Sequence, residues 1–291
     1  MAQKLAFIGL GVMGFPMAGH LQQAGYDVCV YNRTTAKAED WQSTYGGRTA
    51  PSPDAAAEGA DIVFCCVGND DDLREVTTGK DGAFHGMRQG ALFVDHTTAS
   101  ARIAQELAAH AHGMQLRFMD APVSGGQAGA ENGKLTIMAG GTVEDYTEAE
   151  PVMAAYHQQC VHMGPVGTGQ ITKMCNQVAI AGVVQGLAES LHLAESAGLD
   201  VKKAIQVMQK GSAGSWFMDN RAHTMHERAF DFGFSIDWMR KDLGIALDAA
   251  QAHQARLPVT ALIDQFFGDV QQAGGQRQDV SALITRFNHK D

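Results

Sequence analysis

Gly9-Leu10-Gly11-Val12-Met13-Gly14 follows an apolar run and opens a helix-patterned stretch. Each glycine in this spacing has its own task. Gly9 permits the tight turn, Gly11 lets the backbone approach a pyrophosphate, and Gly14 lets the helix pack on the strand. The helix that begins here offers unpaired N–H groups to an anion. Pro16 falls in its first turn, where a missing N–H costs little, and Met17, Leu21 and Ala24 supply an apolar stripe. At the first strand–helix junction this turn reads as a dinucleotide cradle. The next apolar run ends in Tyr31-Asn32-Arg33-Thr34-Thr35. An Asp or Glu at that place would hold a ribose 2′-hydroxyl. The chain instead has an amide, a guanidinium and two hydroxyls, a set suited to a 2′-phosphate. Asn32, Arg33 and Thr34 are therefore expected to favour NADP, with NAD also accommodated.

Three further groups carry chemistry. Ser124-Gly125-Gly126 follows a strand pattern, where small residues expose backbone N–H groups; such an amide nest with a hydroxyl fits a carboxylate. Lys173 stands on an otherwise apolar helix pattern, with Asn176 and Gln177 at i+3 and i+4 on the same face. A lysine so placed is partly desolvated, which favours its neutral form and suits proton exchange with a reacting oxygen. Asn176 or Gln177 would orient the amine or the substrate. Lys241, beside Asp242, is expected to reach the cofactor or substrate. Trp216, at the end of a loop, is a candidate wall of the substrate pocket. The histidines form no ligand spacing, so no metal site is expected.

The elements that must hold these groups fall into two halves. Leu5–Leu10, Val28–Asn32, Asp61–Val67, Ala91–Thr97, Leu116–Val123 and Lys134–Ala139 have strand character. Phe15–Ala24, Asp71–Thr78 and Ser100–His112 between them have helix character, so the alternation predicts βαβ units and a parallel sheet. After Gly164 strand signals stop. A long apolar helix is expected over Gly169–Ala197, with Gly198 as its stop. Further helices are expected at Val201–Lys210, Ser215–Met225, Ser235–Ala255, Pro258–Ala273 and Val280–Phe287. The fold class is α/β: a dinucleotide-binding domain over 1–164, then an all-helical substrate and oligomerisation domain over 165–291.

Composition bounds the partners. The 291 residues are 45% hydrophobic and 19% charged, with a net charge of −10, which is globular and lacks the basic patch of a nucleic-acid binder. The five cysteines form no CxxC pair and read as free thiols in a reducing compartment. No signal-peptide pattern and no apolar run near about 18 residues is seen, so the cytoplasm is expected and a membrane is not.

Four blocks, in this order, resemble the β-hydroxyacid dehydrogenase family, which includes 3-hydroxyisobutyrate dehydrogenase and tartronate semialdehyde reductase. They are Phe7 to Gly14; Asp120-Ala121-Pro122-Val123-Ser124-Gly125-Gly126; Gly167-Thr168-Gly169 with Lys173 and Asn176; and Lys241-Asp242-Leu243. The resemblance covers nearly the whole chain. It implies a Rossmann domain joined to a helical one, and reversible oxidation of a β-hydroxy acid to a semialdehyde. It implies that Val67 and Thr98 line the cofactor site, that Ser124 and Gly125 bind the substrate carboxylate, and that Lys173 is the general acid/base. Many relatives carry Asn four residues after the lysine, where this chain has Gln177, so the positioning amide is Asn176 or Gln177.

An imine reductase shares the two-domain design but usually lacks the lysine. A noncatalytic dinucleotide-binding module would lose it or gain basic segments. The expected substrate is a small carboxylate-bearing semialdehyde or β-hydroxy acid, such as 3-hydroxyisobutyrate, tartronate semialdehyde or succinic semialdehyde. The apolar helical half suggests a homodimer or homotetramer.

Overall fold

The computed structural model describes residues 3–287. Nine strands form one sheet: β1 (Lys4–Ile8), β2 (Asp27–Tyr31), β3 (Arg48–Thr49), β4 (Ile62–Cys65), β5 (Leu92–Asp95), β6 (Arg117–Asp120), β7 (Val123–Ser124), β8 (Leu135–Gly140) and β9 (His157–Gly164). The first six lie in the order β3-β2-β1-β4-β5-β6, all parallel. β8 then runs antiparallel to β6, β7 antiparallel to β8, and β9 parallel to β8. The strand order reverses at β1, with β2 on one side and β4 on the other. In open α/β sheets the crevice beyond the strand ends at that point receives the ligand.

Side chains alternate between two cores. Leu5, Phe7, Val28, Val30, Ile62, Phe64, Leu92 and Val94 face one, while Ala6, Ile8, Cys29, Val63, Cys65 and Phe93 face the other. Both faces are covered by helices, which is why these strands are apolar throughout rather than alternating. The helices of this half are α1 (Gly14–Gln23), α2 (Thr35–Tyr45), α3 (Pro53–Ala57), α4 (Asp70–Thr78), α5 (Ala83–Gly86), α6 (Ala101–Gly113), α7 (Gly126–Glu131) and α8 (Val143–Met153).

The strand expected over Leu116–Val123 is two strands. The ladder breaks at Ala121-Pro122, because Pro122 has no N–H to donate. β9 carried no apolar signal: His157–Gly164 is an outer, half-exposed strand of mixed polarity.

Among the described residues the second half holds five α-helices, α9 (Thr168–Ser196), α10 (Val201–Met208), α11 (Trp216–His226), α12 (Ile236–Ala252) and α13 (Pro258–Val270), then a π-helical turn over Gln271–Gly275 and 3-10 turns over Val280–Phe287. They share a core of Val184, Leu187, Leu191, Ile205, Met239, Leu243, Ile263 and Phe267. The chain divides by its internal contacts into two compact units, Met1–Lys173 and Met174–Asp291, with the division inside α9. Along α9, Ala181, Val184, Leu187, Ala188, Leu191 and Ala194 are buried, whereas Cys175, Ala179, Gly182, Val183, Gly186 and Leu193 are exposed. Its apolar character thus serves two faces, one covered by its own unit and one open.

Candidate active site

The glycine turn leaves β1 with Gly9 at φ +95°, and the Gly9 N–H donates to the Tyr31 carbonyl at 2.9 Å. A methyl at Gly9 would overlap the Cys66 carbonyl beyond β4, and one at Gly14 would overlap the Gly9 carbonyl. Gly11 differs: nothing lies within 4 Å of the place its Cβ would take. Two glycines are therefore needed by the fold itself, and the third lines open space that a pyrophosphate can enter. The residues fit a dinucleotide: α1 begins at Gly14 with no side-chain cap on its N-terminus, leaving N–H groups for an anion.

Asn32 braces this turn. Its Oδ1 accepts from the Leu10 N–H at 2.9 Å and its Nδ2 donates to the Thr34 carbonyl at 3.0 Å. Arg33 is largely exposed and pairs with Asp72 at 3.1 Å. Val67 touches the position beside Gly9, and its N–H donates to Thr97 Oγ1 at 3.0 Å. The loops after β1, β2, β4 and β5 are thereby tied to one another.

Two buried side chains then connect the sheet to the start of α9. The Asp120 carboxylate, at the end of β6, accepts from the N–H groups of Gly167 and Gln170 at 2.6 and 2.8 Å. Gln170 Nε2 donates to the Thr97 carbonyl at 2.7 Å, and its Oε1 accepts from the Ala99 N–H at 3.1 Å. Gly167 sits at φ +93°, and Gly169 has no room for a side chain against the Met138 carbonyl. The Gly167-Thr168-Gly169 motif is thus a helix start fitted against β6 and β8. Lys173, three residues past Gln170, is buried at 7% exposure.

Burial leaves its mark on the acids here. Asp95, at the end of β5, is pushed up to about 7 by desolvation, against the opposing effect of its Thr97 hydrogen bonds. Asp120 is pushed up to about 6 by the same cause, despite its N–H donors. His96 is pushed down to about 4 by burial. Its Nδ1 donates to the Ala121 carbonyl at 2.6 Å, and its Nε2 accepts from the Tyr156 hydroxyl at 2.9 Å. A carbonyl can only accept, so these partners select the Nδ1–H tautomer.

In the helical unit, Asn176 Nδ2 donates to Gln177 Oε1 at 2.8 Å, and Gln177 Nε2 donates to Asp242 at 2.6 Å. Lys241 pairs with Asp242 at 3.1 Å. Three sequence-expected residues are thus joined through Asp242, and both ends of the Gln177 amide are occupied within this string. Trp216 is half exposed at the start of α11, against Phe217 and under the Arg221 guanidinium. Ser124 lies opposite Thr136 in the β7–β8 pair, with Gly125 at φ +133° and Gly126 at φ +61°. Thr98 stands in the loop that Gln170 holds. Gln170, Asp95 and the His96–Tyr156 pair escaped sequence reasoning, because a single polar residue in an apolar run carries no periodic signal. Among the described residues, no group of three or more His, Cys, Asp or Glu could hold a metal, and no helix is long and apolar enough to cross a membrane.

A glycine turn on the central strand of a 3-2-1-4-5-6 sheet, followed by a helical unit, defines a dinucleotide-binding architecture. Residues 4–164 match the NAD binding domain of 6-phosphogluconate dehydrogenase, and residues 167–287 match the NAD-binding domain of NADP-dependent 3-hydroxyisobutyrate dehydrogenase. An uncharacterized oxidoreductase of Shewanella frigidimarina is 60% identical, with 98% of each chain covered. The NAD-dependent L-serine dehydrogenase of Pseudomonas aeruginosa is 32% identical, again with 98% of each covered. The structure of Mycobacterium tuberculosis 3-hydroxyisobutyrate dehydrogenase with L-serine superposes with a TM-score of 0.87 at 30% identity, covering 98% of this chain and 99% of that one. The chain belongs to the 3-hydroxyisobutyrate dehydrogenase family of oxidoreductases.

Proposed function

We propose that this protein interconverts a small β-hydroxy acid and its semialdehyde, using NADP(H) in preference to NAD(H). The observation that carries the reaction is the seating of Lys173. Asp120 and Gln170 fix the first turn of α9 against the loop 97–99, and the lysine follows one turn later, buried. The bound nicotinamide supplies hydride in one direction and accepts it in the other. Reduction of an aldehyde builds negative charge on its oxygen, and the Lys173 ammonium gives that oxygen a proton; in oxidation the neutral amine takes the hydroxyl proton. Asn176, held by Gln177, is the amide with a carbonyl oxygen left to position the reacting groups, while Gln177 fixes it from behind. Ser124 and the N–H groups of Gly125 and Gly126 receive the substrate carboxylate. Gly9 to Gly14 hold the pyrophosphate, Val67 and Thr98 border the nicotinamide half, and Arg33 and Thr34 take the 2′-phosphate. Lys241, paired with Asp242, is a candidate cation for an anionic ligand.

The NADP preference rests on Arg33 and on the absence of an acid at the end of β2. The open face of α9 supports self-association: Ala179, Gly182, Val183 and Gly186 form a row of small apolar residues on which a second copy of the same helix can lie closely.

A panel of small semialdehydes and β-hydroxy acids, followed by NADPH and NADH absorbance, tests the reading. Turnover is expected with at least one three- or four-carbon member. Lys173→Ala is expected to lose nearly all turnover while still binding NADPH. Unchanged turnover in that variant would remove Lys173 from the chemistry.

A further inference from the structure

Arg33 follows β2 and Asp72 lies in the first turn of α4, after β4. β2 and β4 flank β1 on opposite sides, so the 3.1 Å ion pair between them bridges over the end of the strand that carries the glycine turn. A nucleotide on that turn puts its adenosine ribose at the end of β2, beside this pair. The partners are unequally free: the Arg33 side chain is 85% exposed and that of Asp72 30%. Asp72 is also fixed, since its N–H donates to Asn69 Oδ1 at 2.8 Å, the cap of α4. Its two acidic neighbours are engaged elsewhere. Asp70 accepts from the Ser100 N–H at 2.9 Å, and Asp71 pairs with Arg74 at 3.1 Å.

We propose that Asp72 is a specificity-determining residue, whose carboxylate competes with a nucleotide 2′-phosphate for Arg33 and so keeps the protein open to NAD(H). This rests on the reading of Arg33 as the 2′-phosphate partner. With a free 2′-hydroxyl on the ribose, Arg33 stays on Asp72 and nothing is lost. With a 2′-phosphate, Arg33 must leave Asp72, and the vacated carboxylate then stands near a group of like charge. An exposed pair yields readily, because it contributes little in water, so Asp72 tempers the preference without abolishing it.

The test uses the intact protein and direct binding of NADPH and NADH, read by nucleotide fluorescence, with no substrate present. Asp72→Asn is expected to raise the ratio of the NADH to the NADPH dissociation constant by roughly three- to fivefold at low salt, an effect that shrinks as salt is added. Asp71→Asn removes the same charge one residue away and is expected to leave the ratio unchanged. An unchanged or lowered ratio in Asp72→Asn, or an equal rise in Asp71→Asn, overturns the role of Asp72. Arg33→Ala separates the two levels. A fall in the ratio upholds the 2′-phosphate reading whatever Asp72 does, and an unchanged ratio removes that reading and the Asp72 role with it.

Discussion

The Asp120 carboxylate at the end of β6 accepts a hydrogen bond from the Gln170 N–H in the first turn of α9, at 2.8 Å. The same carboxylate takes the Gly167 N–H at 2.6 Å. A buried negative charge on unpaired helix N–H groups both caps the helix and favours its dipole. Replacing Asp120 by Asn turns one accepting oxygen into an NH2 group facing an N–H donor. Burial already disfavours this charge, so its removal is no loss in itself; the N–H donor left facing an NH2 group predicts a destabilisation of about 1–3 kcal/mol, read by denaturant unfolding. If Asp120→Asn unfolds like the parent protein, the seat of Lys173 does not depend on this contact.

Gly9 and Gly11 lie two residues apart and answer to different demands. At Gly9 the φ of +95° and the Cys66 carbonyl both reject a side chain, whereas at Gly11 no atom stands in the way. Gly9→Ala is therefore expected to lower the melting temperature and abolish NADPH binding together. Gly11→Ala is expected to melt as the parent does and still lose at least tenfold in NADPH affinity, because its methyl enters the space a pyrophosphate needs (about 1.4 kcal/mol for each tenfold). Equal NADPH affinity in Gly11→Ala would show that the open space is not the cradle.

How far the sequence reached follows from what each residue does locally. The glycine spacing, the apolar strands and α9 were legible because they are periodic or depend on backbone freedom. α2 was not, since only Ala38 and Trp41 of its residues are buried, too few to make a stripe. The joining of Asn176, Gln177, Asp242 and Lys241 was half legible. Asn176 and Gln177 stand out as amides on an apolar helix, but their union with Asp242 spans 65 residues and needs the packing of α9 against α12 within the helical unit. Gln170 was least legible: a polar residue at a helix start ordinarily faces water, and only the fold buries it against Thr97 and Ala99.

Asp95 gives the molecule a characteristic dependence on pH. Its folded value, near 7, lies above the ordinary 3.8 because burial disfavours the charge. The folded protein therefore holds this proton where the unfolded chain has released it, so Asp95 costs stability at pH 8, and the cost falls as pH drops through 7 toward the unfolded value. His96 works in the opposite sense. Its folded value of about 4 lies below the ordinary 6.5, so its contribution is lost as pH falls from 6.5 toward 4. Asp95→Asn is expected to gain on the order of 1 kcal/mol or more over the parent at pH 8, with the difference narrowing steadily toward pH 5. A difference that does not change with pH would mean that Asp95 is not the titrating group.

The open face of α9 makes the oligomeric state testable with one substitution. Val183 is 39% exposed in the middle of the helix, between Ala179 and Gly186, which are also exposed. Being exposed, it tolerates a charge in its own unit, so Val183→Glu is expected to change folding stability by less than about 0.5 kcal/mol. In a dimer built on this row, the same change would place two carboxylates against an apolar surface, a burial that is tolerated only when a charge is paired. Light scattering behind size exclusion is expected to give the parent protein the mass of a dimer or tetramer, and Val183→Glu a smaller assembly with an unaltered circular dichroism spectrum. A monomeric parent, or an assembly indifferent to Val183→Glu, would move the contact off this face of α9.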